Sequence, residues 1–173
     1  AVDILKNDPF ELCKISGFGF KRVDAIVRKG DTPLNSPKRI KGAVMAALDT
    51  QRSDCGHLYL HEDDLLKTAS KLLNEGIPVN QIVSSNEINN TIDDMILHGE
   101  IVSSDGKIYH TYCFTIEDAA AKKIAQILAV PPMNIDISSV LEFVRKNVGI
   151  ALSQRQSEAV YMAFQSNLSI ITG

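Results

Sequence analysis

Long apolar runs and a leader-like N-terminus are both missing from this 173-residue sequence. A membrane-spanning helix needs about 20 consecutive apolar residues, and no stretch approaches that length. The first ten residues, AVDILKNDPF, lack the basic and apolar regions of a secretory signal peptide. Because 45% of the side chains are hydrophobic, the chain can still bury a core. We therefore expect a globular protein of the cytoplasm.

Cysteine is sparse and odd in number, with Cys13, Cys55 and Cys113 far apart and no Cys-x-x-Cys pair. This pattern favours reduced thiols over a disulfide framework. Cys55, His57 and His61 lack a fourth partner at metal-ligand spacing, so we interpret them as turn and surface residues and expect no metal site. No Ser-His-Asp or paired-carboxylate spacing is recognisable either, so no catalytic residue is predicted.

Lysine and arginine are absent from residues 76–106 and concentrated in residues 14–41. The second of these segments holds eight basic and two acidic residues, a balance of +6, whereas the remainder carries −9 and the whole chain −3. A basic block attracts a polyanion such as nucleic acid, although a solvated helix surface gives the same composition. The segment without cations is not expected to meet a phosphate backbone.

Hydrophobic spacing in the first 52 residues predicts three short helices that share a small core. We expect them over residues 9–14, over residues 20–28, and from Pro37 onward with Ser36 as the N-cap. Turns that contain glycine, at residues 16–17 and 30–31, separate the first two helices from their neighbours. The first two helices would form a helical hairpin. The side chains predicted to face inward are Phe10, Leu12, Val23, Ile26, Val27, Ile40, Val44, Ala47 and Leu48.

The middle of the chain predicts three further helices and a β-hairpin. Apolar spacing indicates helices over residues 65–73 and 88–96, with a short helix over residues 79–83 between them. The alternating segment EIVSSDGKIYHTY surrounds Asp105 and Gly106, a dipeptide typical of hairpin turns. We interpret this arrangement as a winged-helix-like module.

The third helix of such a module would enter a DNA groove in a protein that reads DNA. Here it carries Glu87, Asp93 and Asp94 and no cation, so it cannot neutralise phosphates. We predict that the module is a spacer or a protein-contact unit, and that a repair protein is its partner through residues 76–106.

The last third of the chain predicts helices on either side of a break at residues 131–132, which are both proline. Thr115 and Asp118 have the spacing of a capping box that would start one helix. Ser138 or Ser139 is predicted to cap the next helix, which would end before the following glycine.

A final helix is expected from Ser153, and a buried strand over residues 168–172 precedes Gly173. A strand followed by glycine is typical of the first phosphate loop of a nucleotide-binding motor. The predicted segments are a helix-hairpin-helix region (1–52), a winged-helix-like module (53–130), a linker with a helix (131–147) and the start of a motor domain (148–173).

The segment KISGFGFKRVDAI contains a Gly-x-Gly ahead of a helix, which can cradle a phosphate. A dinucleotide-binding fingerprint needs a preceding strand and a third glycine, and this segment has neither. In a helix-hairpin-helix, by contrast, the glycines bring the turn close to the DNA backbone and the amides of the second helix point at a phosphate. Lys21 and Arg22 lie in the first turn of that helix, where cations oppose the helix dipole, so their position favours DNA contact. The predicted DNA-binding residues are Gly17, Phe18, Gly19, Lys21 and Arg22.

Several blocks occur in one order over nearly the whole chain: NDPFELCKISGFGFKRVDAI, SPKRIKGAV, GHLYL, and GIALSQRQSEAV with SIITG. In this order they resemble the longer, stand-alone branch of the RecD/TraA type of bacterial DNA helicases. The resemblance implies a superfamily 1 motor that moves 5′ to 3′ along single-stranded DNA with ATP and Mg²⁺. It also implies that residues 168–172 lead into a Walker A loop, which is absent here, so this chain alone is expected to bind no nucleotide cofactor and to hydrolyse no ATP.

The resemblance also assigns individual residues. Gly17, Phe18, Gly19 and Lys21 match the hairpin motif of the family, with Val23 in place of the usual small alanine. Gln156 matches the Q motif, Leu-Ser-x-x-Gln, in which the glutamine amide contacts the N6 and N7 edge of adenine. Ser153 and Gln156 also have the spacing of a capping box, and one side chain can serve both roles.

The sequence therefore predicts a mainly α fold that combines a helix-hairpin-helix bundle, a winged-helix-like module with a small β-hairpin, and the first helix and strand of a motor domain. Its expected function is DNA binding as an accessory region of an ATP-dependent DNA helicase in repair or recombination. An adaptor that binds DNA or a repair protein without any motor is the alternative. Binding of RNA by the same hairpin is a third possibility, since backbone contacts alone do not separate the two nucleic acids.

Overall fold

A computed structural model describes residues 8–15, 17–30, 32–132 and 135–172. Ser16, Asp31 and Gly173, at which we predict a turn, a helix end and the glycine of a phosphate loop, lie outside these ranges. The chain is mainly helical and divides into two compact units, Ala1–Ile116 and Glu117–Gly173. Among the described helices, none has the length and hydropathy that a membrane span requires.

The described residues of the first unit form two short 3-10 helices, four complete α-helices, the start of a fifth and three strands. One 3-10 helix covers Pro9–Lys14, and the other, a single turn, covers Val79–Gln81. In chain order, the regular elements are α1 (Phe20–Val27), α2 (Pro37–Cys55), β1 (Tyr59–His61), α3 (Glu62–Asn74), α4 (Ser85–Leu97), β2 (Ile101–Ser104), β3 (Lys107–His110) and the start of α5 (Thr111–Leu128).

The predicted helical hairpin is present and packs on α2. The rings of Phe10 and Phe20 stack with centroids 5.6 Å apart, and Val23 of α1 is buried as well. Gly42 of α2 permits this contact, because a Cβ at that position would lie 2.8 Å from the Phe10 ring. Ile26 was expected to face inward and does not: it is half exposed, because the eight-residue α1 buries a narrower stripe than its apolar spacing suggests.

A single core runs through the rest of the first unit. The inward face predicted for α2 is confirmed, and it packs on buried side chains of α3 and α4. Ser36 is the N-cap of α2 as predicted, although its hydroxyl makes no capping hydrogen bond. The fully or almost fully buried side chains at the centre of this core include Ile40, Val44, Leu65, Leu73, Ile88 and Met95.

The three strands form one antiparallel sheet in the order β1-β3-β2. The predicted hairpin turn is confirmed, since Asp105 and Gly106 both have positive φ, 51° and 71°, as a tight two-residue hairpin loop requires. Sequence patterns did not predict β1, which is only three residues long and pairs Tyr59 with Tyr109 of β3. A strand this short is too brief for an alternating pattern to be recognised.

The second unit contains most of α5 and two further helices, α6 (Ser138–Val148) and α7 (Gln154–Gln165). The capping box predicted at Thr115 and Asp118 is wrong, because α5 begins at Thr111, directly after β3. The Thr111 hydroxyl donates to the carbonyls of Gly99 and Glu100, whereas the Thr115 hydroxyl, already inside the helix, donates to the Thr111 carbonyl.

Two further expectations for the second unit need correction. The N-cap of α6 is Ile137 and not a serine, while the Asp136 carboxylate accepts from the Ser138 amide at 2.9 Å. The buried strand expected over residues 168–172 is absent, and Ile170 is 81% exposed. A strand needs a neighbour to pair its amides and carbonyls, and the described residues of this unit contain no other strand.

Candidate nucleic-acid interface

The glycine turn of the hairpin is open on its outer side. Gly17 has a φ of +90°, a conformation that side chains other than glycine rarely adopt. An added Cβ at Gly17 or at Gly19 would meet no atom within 4 Å. The Phe18 side chain beside them is exposed, and its amide donates to the Ile15 carbonyl at 3.0 Å. The backbone of the turn can therefore be approached closely from outside.

The N-terminus of α1 lacks a side-chain cap, because Gly19 occupies the N-cap position. There is also no acidic residue within the first turn, where one would offset the positive end of the helix dipole. Lys21 and Arg22 add two cations to the same turn. Free amides together with cations make this helix end suitable for an anion.

The two cations of the first turn have different surroundings. Arg22 Nη1 donates to the Gly17 carbonyl at 2.7 Å and so closes the turn. Lys21 Nζ lies 2.7 Å from Glu75 Oε2, and this hydrogen bond is the main reason that the pKa of the Glu75 carboxyl is lowered. Both partners are exposed, so the pair is accessible to a competing anion. Sequence reasoning missed Glu75, which is far from the hairpin along the chain.

The basic block is less available to a polyanion than its composition suggests. Arg39 was counted among its cations, but it is 1% exposed and forms a bidentate pair with Asp24, at 2.6 and 3.0 Å. Its Nη1 also donates to the Leu34 carbonyl, and its Nη2 to the Leu73 carbonyl. Arg39 therefore fastens α1 to the end of α3 and cannot contact DNA.

Lys41 in the same block is also engaged within the protein. It donates to Glu100 at 2.6 Å, which raises the pKa of its ammonium group, and it lies 3.1 Å from Asp94. Unlike Arg39 and Lys41, Lys21 and Arg22 are exposed and lie beside the open glycine turn.

The acidic side chains of α4 are likewise partly used inside the protein. Glu87 closes a capping box with Ser84 and accepts from the Asn35 amide at 2.9 Å, and this last bond is the main reason that the pKa of its carboxyl is lowered. Asp94 pairs with Lys41, whereas Asp93 is exposed. The outward surface of α4 is therefore less acidic than the sequence of the helix.

A groove of about 640 Å³ lies between the 3-10 helix, the hairpin turn and α2. Phe10, Phe20 and Met45 contribute its apolar part, and Cys13 lines it as well. Burial raises the pKa of the Cys13 thiol, with smaller contributions from nearby aspartates. A thiol of this kind is mainly protonated at neutral pH and is not an activated nucleophile.

Gln156 lies in the first turn of α7, on the surface. The predicted capping box is confirmed. The Ser153 backbone amide donates to the side-chain oxygen Gln156 Oε1 at 2.9 Å, and the Gln156 backbone amide donates to Ser153 Oγ at 3.3 Å. The contact with adenine that the resemblance implies stays a prediction.

Comparison with known proteins gives one match to the first 59 residues and one to the whole chain. Residues 1–59 match the family described as the ATP-dependent RecD2 DNA helicase HHH domain, where HHH denotes helix-hairpin-helix. The whole chain is 24% identical to the ATP-dependent RecD2 DNA helicase of Deinococcus radiodurans and spans 25% of the length of that protein. The resemblance to RecD-like helicases, and the helix-hairpin-helix nature of the first residues, are thereby confirmed.

Proposed function

We propose that this chain is a DNA-binding accessory region of an ATP-dependent DNA helicase, and that its hairpin holds a backbone phosphate of the DNA. The observation that carries the proposal is the open turn at Gly17 and Gly19 within the matched family domain. Unpaired helix amides and the side chains of Lys21 and Arg22 supply the donors and the charge. A location in the bacterial cytoplasm is part of the same proposal, because that is where a DNA-directed protein of this type would meet its substrate.

Contacts of this kind determine how the DNA is recognised. Backbone amides and lysine or arginine side chains neutralise phosphates but do not read base edges. Binding by the hairpin should therefore be indifferent to base sequence and should weaken steeply as salt increases. A region with these properties would keep the helicase motor bound to DNA without restricting it to particular base sequences.

The motor properties are proposed from the similarity to RecD-like helicases. They comprise ATP hydrolysis with Mg²⁺, movement from 5′ to 3′ along one strand, and a role in repair or recombination. Within this chain, Gln156 would contribute to ATP binding. A carbonyl oxygen has two lone pairs, so Gln156 Oε1 can accept from the Ser153 amide and from adenine N6, while Nε2 donates to N7. The exposure of the side chain is compatible with this second role.

We further propose that the winged-helix-like module predicted over residues 53–130 includes α2 as its first helix and contacts protein through α4. The segment 79–83, predicted as one of its three helices, contributes only the 3-10 turn at Val79–Gln81. The order helix, strand, helix, helix, strand, strand and the sheet order β1-β3-β2 support this assignment. The sequence of α4 contains no lysine or arginine, and its exposed side chains include Asn86, Asn89, Asn90 and Asp93. Such a surface suits hydrogen bonding with a repair protein better than contact with phosphates.

The proposal is tested by titrating the chain into fluorescein-labelled single-stranded and duplex DNA and following fluorescence anisotropy. Lys21→Glu with Arg22→Glu should remove most of the binding, because both cations of the first turn are reversed, and should leave the melting temperature nearly unchanged. A double variant that binds as tightly as the parent would show that the hairpin is only structural. An RNA oligonucleotide that binds more tightly than DNA of the same sequence would favour the RNA alternative.

A further inference from the structure

Glu75, in the turn after α3, lies among cations that come from two helices. Lys21 pairs with its carboxylate, and the Arg28 guanidinium donates to the Glu75 and Gly76 carbonyls at 3.4 Å. Lys21 and Arg28 are seven residues apart and share one face of the hairpin. Lys71 of α3 lies near enough to add to the lowering of the Glu75 pKa. A carboxylate held in this way occupies a position that would equally suit a phosphate oxygen.

A shallow groove of about 560 Å³ extends from Glu75 along α3. Lys67, Ser70 and Lys71 line it together with Glu75. Lys67 and Lys71 are four residues apart, so their side chains project from the same face of the helix. Lys67 is highly exposed and lies 3.5 Å from Asp64. The groove therefore carries two accessible lysines that continue from the hairpin cations.

We propose that the phosphate-binding surface of the hairpin continues onto α3, where Lys71 and Lys67 bind further backbone phosphates of the same DNA strand. Glu75 occupies the phosphate position at Lys21 until the DNA displaces it. This inference rests on the proposed DNA binding by the hairpin. The Lys21–Glu75 pair is exposed and hence weak and screened by salt, so a phosphodiester can replace the carboxylate at little cost.

The first test removes the competing carboxylate. Glu75→Gln keeps the size of the side chain and abolishes its charge, so the dissociation constant for a labelled single-stranded oligonucleotide should fall. Glu142→Gln is the matched control, because Glu142 is 57% exposed like Glu75 and pairs with Lys146 in the same manner, at 2.8 Å. Both variants change the net charge equally, and only Glu75→Gln should tighten binding.

The second test removes the lysines of the groove. Lys71→Gln should make the plot of the logarithm of the association constant against log salt concentration less steep by about 0.7, the value for one phosphate contact of a single strand. Lys67→Gln should act in the same direction. Lys146→Gln, which removes an exposed lysine from α6, should leave the slope unchanged.

These tests separate the inference from the proposal on which it rests. If Glu75→Gln binds no tighter than Glu142→Gln and Lys71→Gln keeps the parental slope, while the Lys21→Glu, Arg22→Glu variant loses binding, the hairpin binds DNA and the extension onto α3 is wrong. If that double variant still binds like the parent, the proposed function itself is wrong. Melting curves of all variants verify that each one is folded.

Discussion

The two compact units of the chain differ in what covers their apolar side chains. In the first unit, α2, α3 and α4 bury Val44, Leu65 and Ile88 completely within one core. In the second unit, Ile137 is the only hydrophobic side chain of the described residues that is buried, and Phe143 of α6 is 63% exposed. Both units are built from regular helices, but their apolar side chains are buried to very different extents.

Side-chain hydrogen bonds connect separate segments of the second unit. The Asn167 amide donates to the carbonyls of Ile127 and Val130 at the end of α5, and the Tyr161 hydroxyl donates to Ser138 Oγ at 3.0 Å. Helical periodicity is present in both units, but it shows only which face of a helix would be buried. Whether that face is buried depends on an opposing surface, and the first unit provides one from its own elements.

The buried ion pair of the first unit should give the sharpest contrast with the second. Arg39→Met leaves the Asp24 carboxylate buried without its partner, so we expect the free energy of unfolding to fall by about 3–5 kcal/mol. Lys146→Met breaks an exposed pair on α6 and should change it by no more than about 0.5 kcal/mol. Urea denaturation followed by circular dichroism measures both.

A second variant guards against a misreading of that result. Asp24→Leu combined with Arg39→Met replaces both charges by apolar groups, so it should recover much of the lost stability. An Arg39→Met chain as stable as Lys146→Met would mean that the buried pair contributes little and that the contrast between the units is one of exposure only.

Core truncation should separate the two units by a similar or slightly smaller margin. Leu65→Ala removes a side chain that is completely buried, and we expect a loss of about 2–5 kcal/mol. Phe143→Ala removes a larger but mainly exposed side chain and should cost about 0.5 kcal/mol or less. Hydrogen exchange resolved by segment measures each effect in its own helix. Equal losses would show that the apolar face of α6 is covered in solution.

Sequence patterns predicted local structure well where a single element determines it. The position of the apolar face on α2, the turn at Asp105 and Gly106 and the capping box at Ser153 all depend on neighbours within a few residues, and all are present. The strand expected over residues 168–172 depends on a partner strand, which local spacing cannot reveal. Local sequence rules therefore predicted most helices and turns, but they did not predict which surfaces those elements contact.

The candidate site has the same division. The glycine turn and the first-turn cations are contiguous in sequence and were found from it, and the match of residues 1–59 supports the type of motif. The engagement of Lys21 by Glu75, and the burial of Arg39 against Asp24, join residues that are 54 and 15 positions apart. Charge counting treats every lysine and arginine alike, so it could not tell an accessible cation from a neutralised one.

The smallest expected effect on stability concerns Gln156, whose side chain completes the N-terminal capping box of α7 in the second unit. Gln156→Ala removes the acceptor for the Ser153 amide, and a capping interaction of this kind contributes about 0.3–1.5 kcal/mol. We expect a small loss of protection in the first turn of α7, measured by hydrogen exchange, with no change in the first unit. Gln154→Ala, which removes a neighbouring surface amide bonded to Glu158, is the matched control.

The same substitution distinguishes a cap from a nucleotide contact when it is made in a longer protein that carries the motor. If the amide also faces adenine, Gln156→Ala should raise the KM for ATP and reduce discrimination against GTP by about 1–3 kcal/mol, since an unpaired donor and acceptor are left at the base edge. A side chain that only caps α7 would lower stability and treat both nucleotides alike. An unchanged ratio of ATP to GTP turnover, together with weaker protection of α7, would therefore restrict Gln156 to the structural role already visible in its bond to Ser153.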